Sequence, residues 1–261
     1  MIDAHIHLDQ YEDALLPSLL QNLPEQQIEA LIAVSMNLTS SMRTRDIAAR
    51  YPGRVKPAYG FHPEQPLPSE EELTALLDWI EQHAGEMTAV GEIGLPYYSR
   101  AEALERGEAW DMAPYIALLD KLLALAARLD KPVVLHAVYE DAWTVCDLLD
   151  KHGITRAHFH WFKGPAATVD RMIRRGYSIS FTPDILYEQE IQELARRYPP
   201  ELVMAETDGP WPFEGPFAGR VTHPAMVHEA AAAWGALHGY AIDRAKAVLT
   251  ANTVRFYQLK L

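Results

Sequence analysis

The chain predicts an α/β fold of the (β/α)8 TIM-barrel type, and three observations carry that expectation. Short β-rich runs alternate with longer helical patterns along its 261 residues, the order that gives parallel strands joined by crossover helices. Eight such runs occur, in a length close to the about 250 residues typical of a barrel. No Gly-rich turn follows the first run, as it would in the runner-up, an open doubly wound sheet. The runs are 1–8, 28–36, 55–61, 88–93, 132–137, 157–162, 176–182 and 201–206. With no internal linker, low-complexity segment or long charge run, one domain over 1–261 is expected.

Helices fill the gaps. Residues 69–83 open with Ser69 and Glu72, a capping-box spacing. Leu73, Leu76, Leu77 and Ile80 then recur in the 3.6-residue rhythm of a half-buried helix. Residues 109–129 repeat that rhythm through Leu118, Leu119, Leu122, Leu123, Ala126 and Leu129. Segments 140–152, 165–175, 187–197 and 222–238 behave alike, and a final pair of helices is expected over 241–250 and 251–259. Pro63–Pro68 reads as a surface loop. So does Gly209–Thr222, whose 14 residues include three prolines and three glycines; loops of that length in compact domains tend to carry function.

Composition narrows the functional classes. Hydrophobic residues make up 49% of the chain, enough for a sizeable core, yet no uninterrupted apolar stretch is long enough for a membrane span. The opening residues lack the basic start and long apolar stretch of a signal peptide. The single cysteine, Cys146, excludes an internal disulfide and sits among apolar helical neighbours; it fits a reducing cytoplasm. A formal charge of −13 repels polyanions at long range. It argues against tight non-specific binding of duplex DNA, which needs several Lys or Arg on phosphates. A bound pair of divalent cations would add about +4 at the site itself, so a substrate that reaches only that site is easier to accept.

Five of the β-rich runs end in residues able to bind a metal. His5 and His7 lie two apart in Ile2-Asp3-Ala4-His5-Ile6-His7-Leu8, and alternation along a strand points them the same way. Glu92 interrupts the apolar run Val90-Gly91-Glu92-Ile93-Gly94; a carboxylate there is costly to bury unless paired or on a metal. The bland alternative is a salt bridge inside the barrel. Its two oxygens suit it to bridge two cations. His136 closes Val133-Val134-Leu135-His136, and Asp208 follows Glu206-Thr207. Asp208 can take a metal and accept a proton from bound water; its alternative is a turn-forming Asp before Gly209. His158 and His160 share a face. His160 is nearer the carboxyl end, where barrel sites lie, so His158 is expected deeper, in packing or as an outer partner. Glu206 has the face parity of Asp208 and is expected as an outer or ion-pair partner.

Mixed His and carboxylate ligands with open positions describe a catalytic site. Four histidines and two carboxylates exceed the needs of one zinc ion, so two divalent cations are expected: Zn, Mn or Mg, with imidazole favouring the transition ions. Cations in such a site acidify water into a nucleophile, and the implied reaction is hydrolysis.

These motifs together resemble the TatD family of metal-dependent hydrolases, within the amidohydrolase-like barrels. The resemblance runs through most of the chain. Ile2-Asp3-Ala4-His5-Ile6-His7-Leu8-Asp9, Gly60-Phe61-His62-Pro63, Gly91-Glu92-Ile93-Gly94-Leu95, His160-Trp161-Phe162-Lys163-Gly164, Glu206-Thr207-Asp208-Gly209-Pro210 and Ala251-Asn252-Thr253-Val254-Arg255-Phe256-Tyr257 occur in the family's order. The resemblance implies one metal on His5, His7, Glu92 and Asp208, and a second on Glu92, His136 and His160, with Glu92 bridging. It implies that Asp208 helps activate water and that His62 faces substrate. The implied activity is that of a deoxyribonuclease, often a 3′–5′ exonuclease, acting on a single-stranded DNA end.

The chain departs from the family pattern where substrate would bind. Pro96 stands where Asp usually follows Gly-Leu, and Ala137 and Val138 follow His136 where a hydroxyl residue and Arg are common. Lys163 replaces a small hydroxyl residue, and the loop after Asp208 reads Trp211-Pro212-Phe213-Glu214-Gly215-Pro216-Phe217-Ala218-Gly219-Arg220. Lys163 and Arg220 are candidates to replace the missing phosphate contacts. Trp161, Trp211 and Phe213 are candidates to stack on a base or line an apolar pocket. The altered contacts motivate an alternative, hydrolysis of a small amide, ester or lactone on the same barrel. A scaffold with a structural metal ranks last, since structural sites are closed and use fewer ligands.

Overall fold

A computed structural model describes residues 1–260. The eight expected runs form eight parallel strands: β1 (Ile2–Ile6), β2 (Ala30–Ala33), β3 (Val55–Tyr59), β4 (Ala89–Gly94), β5 (Val133–His136), β6 (Ala157–Phe159), β7 (Ser178–Phe181) and β8 (Val203–Ala205). Each pairs with the next in chain order. Beyond the end of β8 the ring draws together, where Asp208 N donates to the His5 carbonyl at 2.9 Å and His7 N to the Gly209 carbonyl at 2.7 Å. The structure is therefore a TIM barrel, nearly closed. Most strands are shorter than the runs suggested, because the last residues of a run leave the ladder to build the mouth. His7, His160 and Asp208 all lie just past the last paired residue of their strands.

Among the described residues, ten α-helices surround the strands: α1 (Leu16–Gln21), α2 (Leu38–Arg50), α3 (Glu70–Gln82), α4 (Tyr97–Glu105), α5 (Ala113–Arg128), α6 (Asp141–His152), α7 (Ala166–Arg175), α8 (Gln189–Arg197), α9 (Val227–Leu237) and α10 (Ile242–Tyr257). The capping box that opens α3 is reciprocal: Glu72 N donates to Ser69 Oγ at 3.2 Å, and Ser69 N to the Glu72 carboxylate at 2.8 Å. The expected pair at the C-terminal end is instead one continuous helix, α10. Asn252, near the expected junction, turns inward and donates to the carbonyls of Pro200 and Val203 at 2.7 and 2.8 Å. Three helices escaped the periodicity reading. The buried side of α2 is largely polar, with Ser40, Ser41 and Thr44 beside Ile47; α4 buries only Ala103, and α1 is six residues long.

The main core packs strands against helices. A second cluster joins Ala4, Ile32, Val34, Ala58, Ala89, Val134 and Met204 to Tyr257 of α10. The Tyr257 hydroxyl meets His158 Nδ1 at 2.7 Å, and His158 Nε2 meets Ser180 Oγ at 2.5 Å. That leaves His158 in the packed interior, with both ring nitrogens engaged away from the mouth.

Candidate metal centre

Glu92 is the centre of the site, fully buried in β4. The neighbouring strands can close around it because glycines flank it. A Cβ on Gly60 would clash with the backbone of Gly91 and Glu92, and one on Gly94 would press into the His136 carbonyl of β5. The Glu92 oxygens face different partners. Oε2 lies 3.1 Å from both His5 Nε2 and His7 Nε2. Oε1 lies 3.1 Å from His136 Nδ1, 2.7 Å from His160 Nε2 and 3.2 Å from His62 Nε2. Asp208 Oδ1 completes the first set, 3.2 Å from His5 Nε2 and 3.4 Å from His7 Nε2. His5 and His160 stack with ring centroids 3.8 Å apart, which holds the two sets together.

The donor chemistry and its geometry fit divalent cations. Three overlapping groups are close enough to hold an ion: His5 with His7 and Glu92; His5 with His160 and Asp208; and His62 with Glu92 and His136. Glu92 Oε2 and Asp208 Oδ1 are buried and accept no hydrogen bond from any described residue, although imidazole nitrogens lie close by. Buried polar atoms without a hydrogen-bond partner call for an occupant, and with imidazole and carboxylate donors beside them a divalent cation fits.

Without cations, protons take up the charge balance. Burial alone would raise the Glu92 carboxyl, but His160, His62 and His5 hold it well below the usual carboxylate range. Burial opposes ionisation of Asp208 too, and the adjoining His5 and His7 overcome it, so its carboxyl is lowered. The same carboxylates act in reverse on the rings. Burial disfavours His7 cations, yet Asp208 and Glu92 push its pKa up to about 10. His62, with only one such neighbour and cationic rings beside it, is lowered by burial. Two residues at the mouth have positive φ, Trp161 at 38° and Asp208 at 49°. Such backbone strain in non-glycine residues concentrates at functional sites.

The six expected ligand residues, His5, His7, Glu92, His136, His160 and Asp208, are thus brought together. His62 goes further than expected: besides facing the cavity, it touches the Glu92 carboxylate. Glu206 lies behind His160, accepting from Trp161 N at 2.7 Å with Oε1 3.7 Å from His160 Nδ1. A cavity of about 870 Å³ opens over the centre, and His62, Lys163, Trp161, Trp211 and Phe213 line it. Lys163 Nζ stands 4.0 Å from Asp184 Oδ2 and over the Trp161 ring; burial pushes the Asp184 carboxyl up to about 6. Arg220 is not among the cavity residues. It is exposed, its guanidinium resting over Phe217, because the loop turns outward after the Phe213–Phe217 cluster.

Glu64 escaped the sequence reading. It lines the cavity, accepts from Tyr98 N and Ser99 N at 2.8 Å each, and has Oε1 3.2 Å from His136 Nε2. Its place directly after Gly60-Phe61-His62-Pro63 was the one available signal. Burial would raise its carboxyl, but His136 and Ser99 bring it down to about 2.

A model of the TatD related DNase family matches residues 2–258. This chain belongs to that family. It is 40% identical over 215 residues to an uncharacterized metal-dependent hydrolase of Haemophilus influenzae, covering 82% of this chain and 83% of that protein. It is 28% identical to the Homo sapiens deoxyribonuclease TATDN3, covering 80% and 78%. Among solved structures, the Escherichia coli TatD homologue YJJV superposes with a TM-score of 0.85 at 25% identity, covering 100% and 98% of the two chains. This TatD-family member is a metal-dependent hydrolase on a TIM barrel. Among the described residues, no helix is long and apolar enough to cross a membrane.

Proposed function

We propose that this chain hydrolyses phosphodiester bonds at a single-stranded DNA end, as a cytoplasmic 3′–5′ exonuclease-like deoxyribonuclease built on one barrel domain and two divalent cations. The observation that carries the reading is the division of Glu92, with Oε2 toward His5 and His7 and Oε1 toward His136 and His160. One cation would be held by His5, His7, Glu92 and Asp208, and the other by Glu92, His136 and His160, with His62 at its edge; Zn and Mn suit the imidazoles best. When bound, such a pair acidifies water to a nucleophile and neutralises phosphoryl charge on both sides of an in-line displacement.

The chain's own residues supply the rest. Asp208, kept ionised by His5 and His7, is placed to accept the proton of the attacking water. Lys163 faces the cavity as a donor to non-bridging phosphate oxygens, while His62, whose Nδ1 accepts from Glu64 N at 3.1 Å and whose Nε2 faces Glu92, borders the second cation. Trp211, 56% exposed against the edge of Trp161, offers a face on which a terminal base can stack. The acidic surface turns away a long duplex, so the substrate is a frayed or single-stranded end. The family's deoxyribonuclease-named members favour this over the small amide, ester or lactone alternative.

The test is shortening of end-labelled single-stranded DNA by purified protein with Mn²⁺ or Mg²⁺. Wild type is expected to degrade it from the 3′ end, and Asp208→Asn to be about 10²- to 10⁴-fold slower, the usual worth of a positioned proton acceptor. No shortening by wild type, or equal shortening by Asp208→Asn, overturns the proposal.

A further inference from the structure

Of the three histidines facing Glu92 Oε1, the two on β5 and just past β6, His136 and His160, differ at their outer nitrogens. His160 Nδ1 is buried with no hydrogen-bond partner among the described residues, and Glu206 is 3.7 Å away. His136 Nε2 instead meets Glu64 Oε1 at 3.2 Å. Glu64 is itself pinned. Its two oxygens accept one backbone N–H each, Oε1 from Tyr98 and Oε2 from Ser99, both at 2.8 Å. Those amides open α4, where N–H groups lack partners within the helix and the helix end favours a negative charge.

This geometry constrains the His136 ring. A histidine that ligates a cation is a neutral imidazole, with one N–H and one lone pair. Glu64, with two amides donating to it, has only acceptor capacity to offer, so the hydrogen of His136 belongs on Nε2. The lone pair then belongs on Nδ1, the nitrogen that lies 3.1 Å from Glu92 Oε1 and 3.4 Å from His160 Nε2. We propose that Glu64 is a positioning residue for the second metal site, setting the tautomer and plane of His136 and tying both to the α4 wall of the cavity. The proposal rests on the two-cation reading but not on the substrate. Ligand histidines held in this way lose metal affinity by about 10- to 100-fold when the outer partner is removed.

The experiment is calorimetric titration of the metal-stripped full-length protein with Zn²⁺ and with Mn²⁺, in wild type, Glu64→Gln and Glu64→Ala, with circular dichroism as the check on folding. Gln keeps the size of Glu64 but presents an amide, so it no longer demands the N–H on Nε2. Wild type is expected to take two ions. Glu64→Gln is expected to lose about 10- to 100-fold in affinity at one site, with the other within about twofold, and its turnover should recover as metal is raised. Anomalous diffraction from crystals grown at limiting metal should place the missing ion beside His136 and His160. Unchanged affinity at both sites in Glu64→Gln, equal weakening of both, or loss of the ion beside His5 and His7 would overturn the proposal. If Glu64→Ala unfolds, the isosteric Glu64→Gln decides alone. A wild type that binds a single ion overturns the proposal together with the two-cation reading, whereas failure to cleave DNA touches neither.

Discussion

The two halves of the centre are built in different ways. His5 and His7 come from one strand end, two residues apart, and strand alternation alone aims both rings at Glu92 Oε2. Their outer Nδ1 atoms have no hydrogen-bond partner among the described residues. His136 and His160 come from neighbouring strands 24 residues apart, and carboxylates stand outside both rings, Glu64 in contact and Glu206 more distant. One half is oriented by local backbone geometry and the other by contacts between distant segments. The second half should therefore be the easier to weaken selectively.

The largest effect should come from Glu92, which both halves share. Glu92→Gln should lower the affinity for both ions by more than about 100-fold, above the 10- to 100-fold cost of losing an outer partner. Calorimetry showing loss from only one half would break the comparison at its root. Next is Glu206→Gln, which should weaken the His136–His160 half by less than Glu64→Gln does, because Glu206 stands farther from its ring. An equal or larger loss would reassign the stronger outer partner.

Thermal unfolding against pH sharpens the other half. In the metal-stripped protein, burial disfavours the His7 cation, but Asp208 and Glu92 raise its pKa to about 10. A proton held more tightly in the folded state stabilises it fully below the ordinary value of about 6.5, and that stabilisation fades as pH rises through about 10. The melting temperature of the stripped protein should therefore fall between those limits, and that of the metal-loaded protein should fall less. Identical slopes would mean that His7 does not exchange protons for metal. The smallest effect is expected at the rim. Trp211→Ala should raise KM for single-stranded DNA about five- to tenfold, toward the lower end of the roughly 1–3 kcal/mol that base stacking contributes, with metal affinity unchanged. A fall in metal affinity would tie the rim to the centre.

Legibility in the sequence followed the same division. Strand runs were readable because buried parallel strands are short and apolar, and a His or Glu within one stands out. Helices α3 and α5 were readable from their leucine rhythm, whereas α2 and α4 were not, since their buried faces carry Ser, Thr or a lone Ala. The continuity of α10 across 250 and 251 was not readable, because a polar Asn252 inside a helix gives no sign that it reaches the carbonyls beneath β8. Arg220 looked like a phosphate contact from its charge, but loop direction is set by where Phe213 and Phe217 pack.

What the sequence determined by itself was the barrel and five of the residues around Glu92, namely His5, His7, His136, His160 and Asp208, because burial makes each isolated polar group in an apolar strand conspicuous. What only the tertiary structure decided was which nitrogen each ring turns inward. Glu64 lies 72 residues from His136, and no local pattern records a hydrogen bond that forms only after the strands have closed and α4 has docked against the mouth.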